Sequence, residues 1–221
     1  MLDLATIRRD GEVEAIMEMS EKQIEALGFT EHSRRHAGIV SKWSGEILRS
    51  LGKGEDRIRL AEIAGYLHDI GNCINRKDHA QSGAILSYKI LTRLGMSAPD
   101  AAEIMMAIGN HDEQYGQPVS DISSALIIAD KADVHKSRVK NTVSDVFQAN
   151  IHDRVNLAAE RSFVRVEEDG KVIALHIEID TAICSVMDYF EIYFSRMQLS
   201  RKAAEFLGCR FSLVINGTVL L

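Results

Sequence analysis

Residues 60–90, LAEIAGYLHDIGNCINRKDHAQSGAILSYKI, decide how the rest of the chain is read. Leu60, Ile63, Ala64 and Leu67 recur at helical spacing, and their run ends in His68-Asp69-Ile70-Gly71. A second helix places His79, Gly83, Leu86, Ile90 and Leu94 on one stripe before Gly95. Both apolar stripes therefore include or end in side chains that ligate metals.

The same feature recurs on either side. Upstream, Thr30 caps a helix that aligns His36, Ile39, Val40, Trp43 and Ile47 and stops at Gly52. Downstream, Ser97 caps and Pro99 starts a helix in which Ile104, Ile108 and His111 share a face, and a fifth helix aligns Ile122, Leu126 and Asp130. A single core-facing histidine is ordinarily a hydrogen-bonded core residue. Five successive stripes carrying His36, His68 with Asp69, His79, His111 and Asp130 are a different matter. In one bundle these side chains converge, as they do in di-metal helical proteins. Two carboxylates in such a cluster repel each other, whereas divalent cations satisfy every lone pair.

Composition sets the frame. The 221 residues are 46% hydrophobic with a formal net charge of −6, which argues against a nucleic-acid binder that relies on neutralising phosphates. Cys73, Cys184 and Cys209 form an odd, widely spaced set with no CxxC, so a reduced, cytoplasmic protein is expected. The stretch MLDLATIRRDGEVEAIM carries charges every few residues and no apolar run suits a bilayer, so neither a signal peptide nor a membrane segment is expected.

Near residue 150 the period changes from 3.6 to 2. Phe163 to Glu168, Asp169-Gly170 and Lys171 to Ile179 read as a β-hairpin with Ile173, Leu175, Ile177 and Ile179 on one face. A long helix over about Thr181 to Leu207 follows, then a strand in CRFSLVINGTVLL with a turn at Asn216-Gly217. The expectation is a mainly α fold: a helical bundle over residues 1–149, followed by a small α+β region over 150–221 that holds no constellation to which chemistry attaches.

The literal HDIG at 68–71, with His36 upstream and His79, His111 and Ile128-Ala129-Asp130-Lys131 downstream, resembles the HD-domain phosphohydrolase superfamily over about residues 30–140. The ordered set is most similar to its six-ligand, binuclear branches. His79-Ala80-Gln81-Ser82-Gly83-Ala84 resembles the H-A-P-V-G-A of the bacterial symmetrical diadenosine-tetraphosphatase family, and Ala107-Ile108-Gly109-Asn110-His111 with Ala129-Asp130-Lys131 resembles its A-I-x-x-H and A-D-K segments. The HD-GYP cyclic-di-GMP phosphodiesterases are also similar. Here, however, Asn110-His111 stands in place of a His-His pair, and Gly116-Gln117-Pro118 in place of G-Y-P.

This resemblance implies that Asp69 bridges two divalent transition-metal ions, that His36, His68 and Asp130 complete one, and that His79 and His111 hold the other. Imidazole-rich ligands favour iron or manganese first, with cobalt, nickel or zinc as alternatives. It further implies hydrolysis of a phosphoester or phosphoanhydride of a small nucleotide or dinucleotide polyphosphate by a metal-bridging hydroxide. Lys131 is the expected catalytic cation beside Asp69. Lys131 and Arg138, the latter in the basic run Lys136, Arg138 and Lys140, are the expected phosphate ligands.

Asp133 is placed to orient a ligand histidine, and Arg76 with Lys77 to form a gating loop. His32 offers a third-metal ligand, Cys73 has no evident base, and Met105 and Met106 read as core filler. Two other functions fit the same ligands: a diiron HD-type oxygenase, and a nucleotide-binding sensor without turnover. The expected partner is a small phosphorylated substrate, with no nucleic acid and no membrane. A homodimer is the default assembly, to which strand edges near Leu221 would lend a surface.

Overall fold

The structure is a computed structural model that describes residues 2–29, 34–139 and 151–220. Thr30, His32, Lys140 and the expected boundary between residues 149 and 150 lie outside the described residues.

Seven helices come first: α1 (Leu4–Arg8), α2 (Gly11–Ala26), α3 (Arg34–Ser50), α4 (Glu55–Leu67), α5 (His79–Arg93), α6 (Ala98–Gly109) and α7 (Asp121–Ala132). Their ends obey local chemistry. Asp10 accepts from the Val13 N–H to cap α2, Ser97 accepts from Asp100 to cap α6, and Ser120 accepts from Ser123 to cap α7. α3 and α4 pack closely, since Gly65 on α4 meets Ser41 on α3 and Gly45 on α3 meets Glu62 on α4; a Cβ at Gly65 would lie 2.7 Å from the Ser41 Cα. Val40, Ile47, Ile63, Leu67, Ile104, Ile108, Ile122 and Leu126 fill the centre of the bundle. Met105 packs against this core, but Met106 is exposed, because it lies two residues from both Ile104 and Ile108, on the opposite face of α6 from their buried stripe.

The remainder is α8 (Ile151–Ala158), β1 (Ala159–Glu167), β2 (Val172–Ile179), α9 (Val186–Phe206), β3 (Arg210–Ile215) and β4 (Thr218–Val219). β1 and β2 form the expected antiparallel hairpin, with Leu175 opposite Val164, and Asn216-Gly217 make a tight turn with both φ positive. The sheet runs in the order β1-β2-β3-β4, and β2 pairs parallel with β3. That pairing requires a crossover, which α9 supplies. β2 is consequently central, and Val172 and Ala174 are buried as well as the alternate Ile173, Leu175 and Ile177. α9 begins later than its apolar pattern, at a Ser185–Asp188 capping box. It packs on α7 and β1 packs on α3, so a single apolar core runs from Ile7 to Ile215. The architecture is the mainly helical fold with a small C-terminal sheet. No helix among the described residues is long and apolar enough to cross a membrane.

Candidate metal centre

Each expected ligand sits where a helix begins, ends or turns inward. His68 is the C-terminal cap of α4, and Asp69 opens a short 3-10 turn over Ile70–Cys73. Gly71 in that turn admits α5: a Cβ there would lie 2.0 Å from the His79 carbonyl oxygen and 2.5 Å from the Gly83 nitrogen. Asp78, at φ 57 and ψ 27, swings the chain so that His79 is the first residue of α5. His36 lies in the first turn of α3, Asp130 in the last turn of α7, and His111 just beyond α6, whose helical hydrogen bonds end at Gly109.

The structure brings all six side chains together. His36 Nε2 is 3.2 Å from Asp130 Oδ1 and 3.7 Å from Asp69 Oδ2. His68 Nε2 is 3.2 Å from Asp69 Oδ2 and 3.6 Å from Asp130 Oδ1. His79 Nε2 lies 3.3 Å from Asp69 Oδ1 and 3.2 Å from His111 Nε2. All four histidines are at most 2% exposed. Two triads place one ligand atom of each member within 4.8 Å of the others: His36, His68 and Asp130, and His68, Asp69 and His111.

The outer nitrogens settle which way the lone pairs point. His68 Nδ1 is 2.8 Å from the Gly65 carbonyl oxygen, His79 Nδ1 3.0 Å from that of Arg76, and His111 Nδ1 2.7 Å from that of Ile108. Carbonyl oxygens only accept, so each Nδ1 carries a proton and each Nε2 faces inward, where the ring presents a lone pair whenever it is neutral. His36 Nδ1 donates in the same way to Asp133 Oδ2 at 2.7 Å, which is the orienting carboxylate expected from the sequence. Arg35 Nη2, at 3.1 Å, holds that carboxylate from the other side.

A cluster so arranged fits cations. Two inward lone pairs 3.2 Å apart, on His79 and His111, repel unless a positive charge lies between them. Burial opposes a charge on His68, yet Asp69 and Asp130 push its imidazole up to about 10. Burial and the neighbouring imidazoles of His68 and His79 push His111 well below its ordinary value. Burial also works against ionised Asp130, but Lys131, His36 and His68 hold its carboxyl well below the usual range. Protons cannot serve all four imidazoles, whereas imidazole nitrogen with carboxylate oxygen is a donor set for divalent transition metals.

Cations rim the mouth of this centre. Lys131 is buried, its Nζ 2.7 Å from Asp130 Oδ2 and 2.6 Å from Glu113 Oε2. Although burial disfavours its charge, Asp130 and Glu113 raise its pKa, so it remains an ammonium. Arg138 is 3% exposed rather than on a solvated face, and it donates through Nη1 to the Asp133 carbonyl oxygen at 2.6 Å. Arg76 reaches Asp69 Oδ1 at 3.6 Å, while Lys77 is exposed. A small cleft is lined by Asp69, His79, His111, Asp130 and these cations.

Two members of that rim escaped the sequence reading. Glu113 bridges Lys131 to Arg196, whose Nε lies 3.2 Å from Glu113 Oε1. Burial opposes ionised Glu113, but Lys131 and Arg196 hold it well below the usual carboxylate range. Its place two residues past His111 was an available signal; Arg196, on α9, offered none. The other tempting residues stand apart: Lys136 is exposed, His135 hydrogen-bonds Ser137, and His176 stacks on Phe163. Burial pushes the Cys73 thiol up, away from nucleophilic use.

Residues 29–137 match the HD domain family model. Over 172 residues the chain is 24% identical to an uncharacterized protein of Methanocaldococcus jannaschii, an alignment that covers 68% of this chain and 65% of that relative's length. The crystal structure of a predicted HD superfamily hydrolase from an uncultured Thermotogales bacterium aligns with 61% of this chain and 75% of its own, at 24% identity and a TM-score of 0.44.

Proposed function

We propose that this chain is a metal-dependent phosphohydrolase that cleaves a phosphoester or phosphoanhydride of a small nucleotide or dinucleotide polyphosphate, nearest in its motifs to the binuclear diadenosine-tetraphosphatase-like branch. The observation that carries this reading is the inward set of four Nε2 lone pairs and two carboxylates, with every Nδ1 anchored from outside. His36, His68 and Asp130 would hold one ion and His79 with His111 the other, Asp69 offering one oxygen to each. When bound, such ions supply Lewis acidity toward a phosphoryl oxygen and a nucleophilic water at neutral pH.

The protein's own part is positioning and charge. Lys131 already spends two of its donors on Asp130 and Glu113, which fixes the third toward the cleft. Arg76, Arg138 and Arg196 line the same cleft and present forked donors to equatorial phosphoryl oxygens. The anchored Nδ1 atoms keep the imidazoles from rotating as charge develops.

Elemental analysis of protein purified without chelator, followed by phosphate release from a panel of nucleotides and dinucleotide polyphosphates, tests the reading. Two ions per chain, iron or manganese above zinc, with release that stops on chelation and returns with metal, is the expected result. One ion or fewer, or oxygen uptake without phosphate release from iron-loaded protein, overturns it.

A further inference from the structure

Beyond the arginine rim the cleft opens into a cavity of about 410 Å³. It shares Arg76, Glu113, Arg138 and Arg196 with the metal-side cleft, and its far wall is built by α8 and α9, outside the segment that matches the HD domain. Three features of the cavity lining point to an occupant. The first is aromatic: Phe29 is 48% exposed at the mouth, and the Tyr193 ring lies beneath the Arg196 guanidinium at 4.8 Å. The second is Arg196 itself, which is committed to Glu113 through Nε, while among the described residues its Nη groups carry no hydrogen bond.

The third is Asn156, which is 3% exposed. Its Nδ2 donates to the His152 carbonyl oxygen at 2.9 Å and to Tyr193 Oη at 3.1 Å. A backbone carbonyl only accepts, so this contact fixes which end of the amide is which. The other end, Oδ1, is buried with no hydrogen-bond partner among the described residues. A buried acceptor left without a donor is costly, and here it belongs to a residue on the cavity wall.

We propose that this cavity receives the uncharged half of the substrate, one nucleoside-sized group that stacks on Phe29 and gives an N–H or O–H to Asn156 Oδ1, while the Arg196 Nη groups hold the phosphate at the boundary with the metal centre. The proposal rests on the phosphohydrolase reading and narrows it. Ligand cavities span about 300–1,000 Å³, and a space near the lower end suits one nucleoside rather than two. The cavity then distinguishes substrates by a single ring system, and Arg196 and Asn156 are its specificity-determining residues.

Calorimetric titration of metal-replete protein with the four common ribonucleoside 5′-monophosphates and with inorganic phosphate tests this. At least one nucleotide is expected to bind about tenfold tighter than inorganic phosphate, the size of one well-made hydrogen bond plus stacking. Asn156→Leu should remove most of that preference. Phe29→Ala, at a half-exposed position, should reduce it severalfold. Arg196→Met should weaken nucleotide and inorganic phosphate alike. Equal affinity of the wild type for nucleotides and inorganic phosphate, or a preference that survives both Asn156→Leu and Phe29→Ala, overturns the proposal. The two readings fail separately. A nucleotide preference that these variants abolish, in a protein that hydrolyses no phosphate ester, leaves the cavity standing and removes the hydrolase; hydrolysis without any preference does the reverse.

Discussion

The helices α3 to α7 and the region from α8 to β4 bury their polar groups in opposite ways. In the first, four imidazoles and two carboxylates stand at the centre of an apolar bundle, each anchored by a backbone carbonyl, a carboxylate or a neighbouring cation. In the second, the interior of the sheet is Ile173, Leu175, Phe211 and Leu213, and its helices send Asn156 and Arg196 toward the cleft. Burying polar atoms without partners destabilises a fold, so the bundle accepts a cost that the proposed cations would offset. Among the described residues the region from α8 to β4 bears that cost at only two side chains, Asn156 and Ser200, and it acts as a backing that sets where Asn156 and Arg196 fall. On the proposed function, reactivity and recognition would draw on different parts of the chain.

Removing a shared ligand should break the comparison most severely. Asp69→Asn is expected to lower metal content below one ion per chain, by elemental analysis, and to reduce phosphate release by roughly a thousandfold or more, the scale of losing a principal electrostatic contributor. Full turnover in a metal-poor Asp69→Asn protein would show that the bundle's polar centre is structural only.

The backing role of the sheet is tested at Leu213, which is fully buried in β3. Leu213→Ala should cost about 2–5 kcal/mol in urea unfolding, with metal content per folded chain retained. Loss of metal in the folded variant would erase the division of labour between the two regions.

Arg196→Met comes next in size. A drop in kcat/KM of roughly ten- to a hundredfold is expected for loss of a charged hydrogen-bonding group at the phosphate. Metal content measured on the same sample should match the wild type, because no ligand touches Arg196. An unaltered kcat/KM would confine α9 to packing.

The smallest effect is a pH dependence. Glu113 lies below its ordinary value in the folded protein, so its ion pairs with Lys131 and Arg196 stabilise the fold above the unfolded carboxylate pKa of about 4.3. That contribution fades as pH falls below this value, because the unfolded carboxylate takes up its proton while the folded one, held down by Lys131 and Arg196, is still ionised, and it is fully lost only once pH passes below the folded value. Between pH 5 and pH 3 the wild type should therefore lose more stability than Glu113→Gln, by about 1 kcal/mol, in denaturant titrations at each pH. Parallel pH profiles for the two proteins would contradict the coupling between α7 and α9.

Local rules accounted for much of what is seen. The five helices that carry the ligands fall within a few residues of their apolar stripes, because caps such as Ser97 and stops such as Gly52 and Gly95 act on their own turns. His111 shows where periodicity overreaches: it continues the stripe of Ile104 and Ile108, yet the helix has already ended at Gly109. The hairpin and the Asn216-Gly217 turn were equally legible, since alternation and positive-φ residues are short-range signals. The parallel pairing of β2 with β3 was not, since alternation says nothing about which strand lies beside which.

The sequence by itself determined the mainly helical fold, the order along it of the six side chains proposed as metal ligands, and the carboxylate at Asp133 that hydrogen-bonds His36. These follow from spacing within one or two helical turns of a cap, a glycine or an apolar stripe. Only the tertiary structure decided that Lys131 and Arg196 share Glu113, that Arg138 is buried, and that Asn156, whose Oδ1 has no partner among the described residues, stands in the wall of a cavity beside the candidate metal centre. Glu113 and Arg196 are 83 residues apart along the chain. Their meeting depends on how α9 crosses from β2 to β3 and settles on α7, a long-range packing outcome for which no local pattern carries a signal.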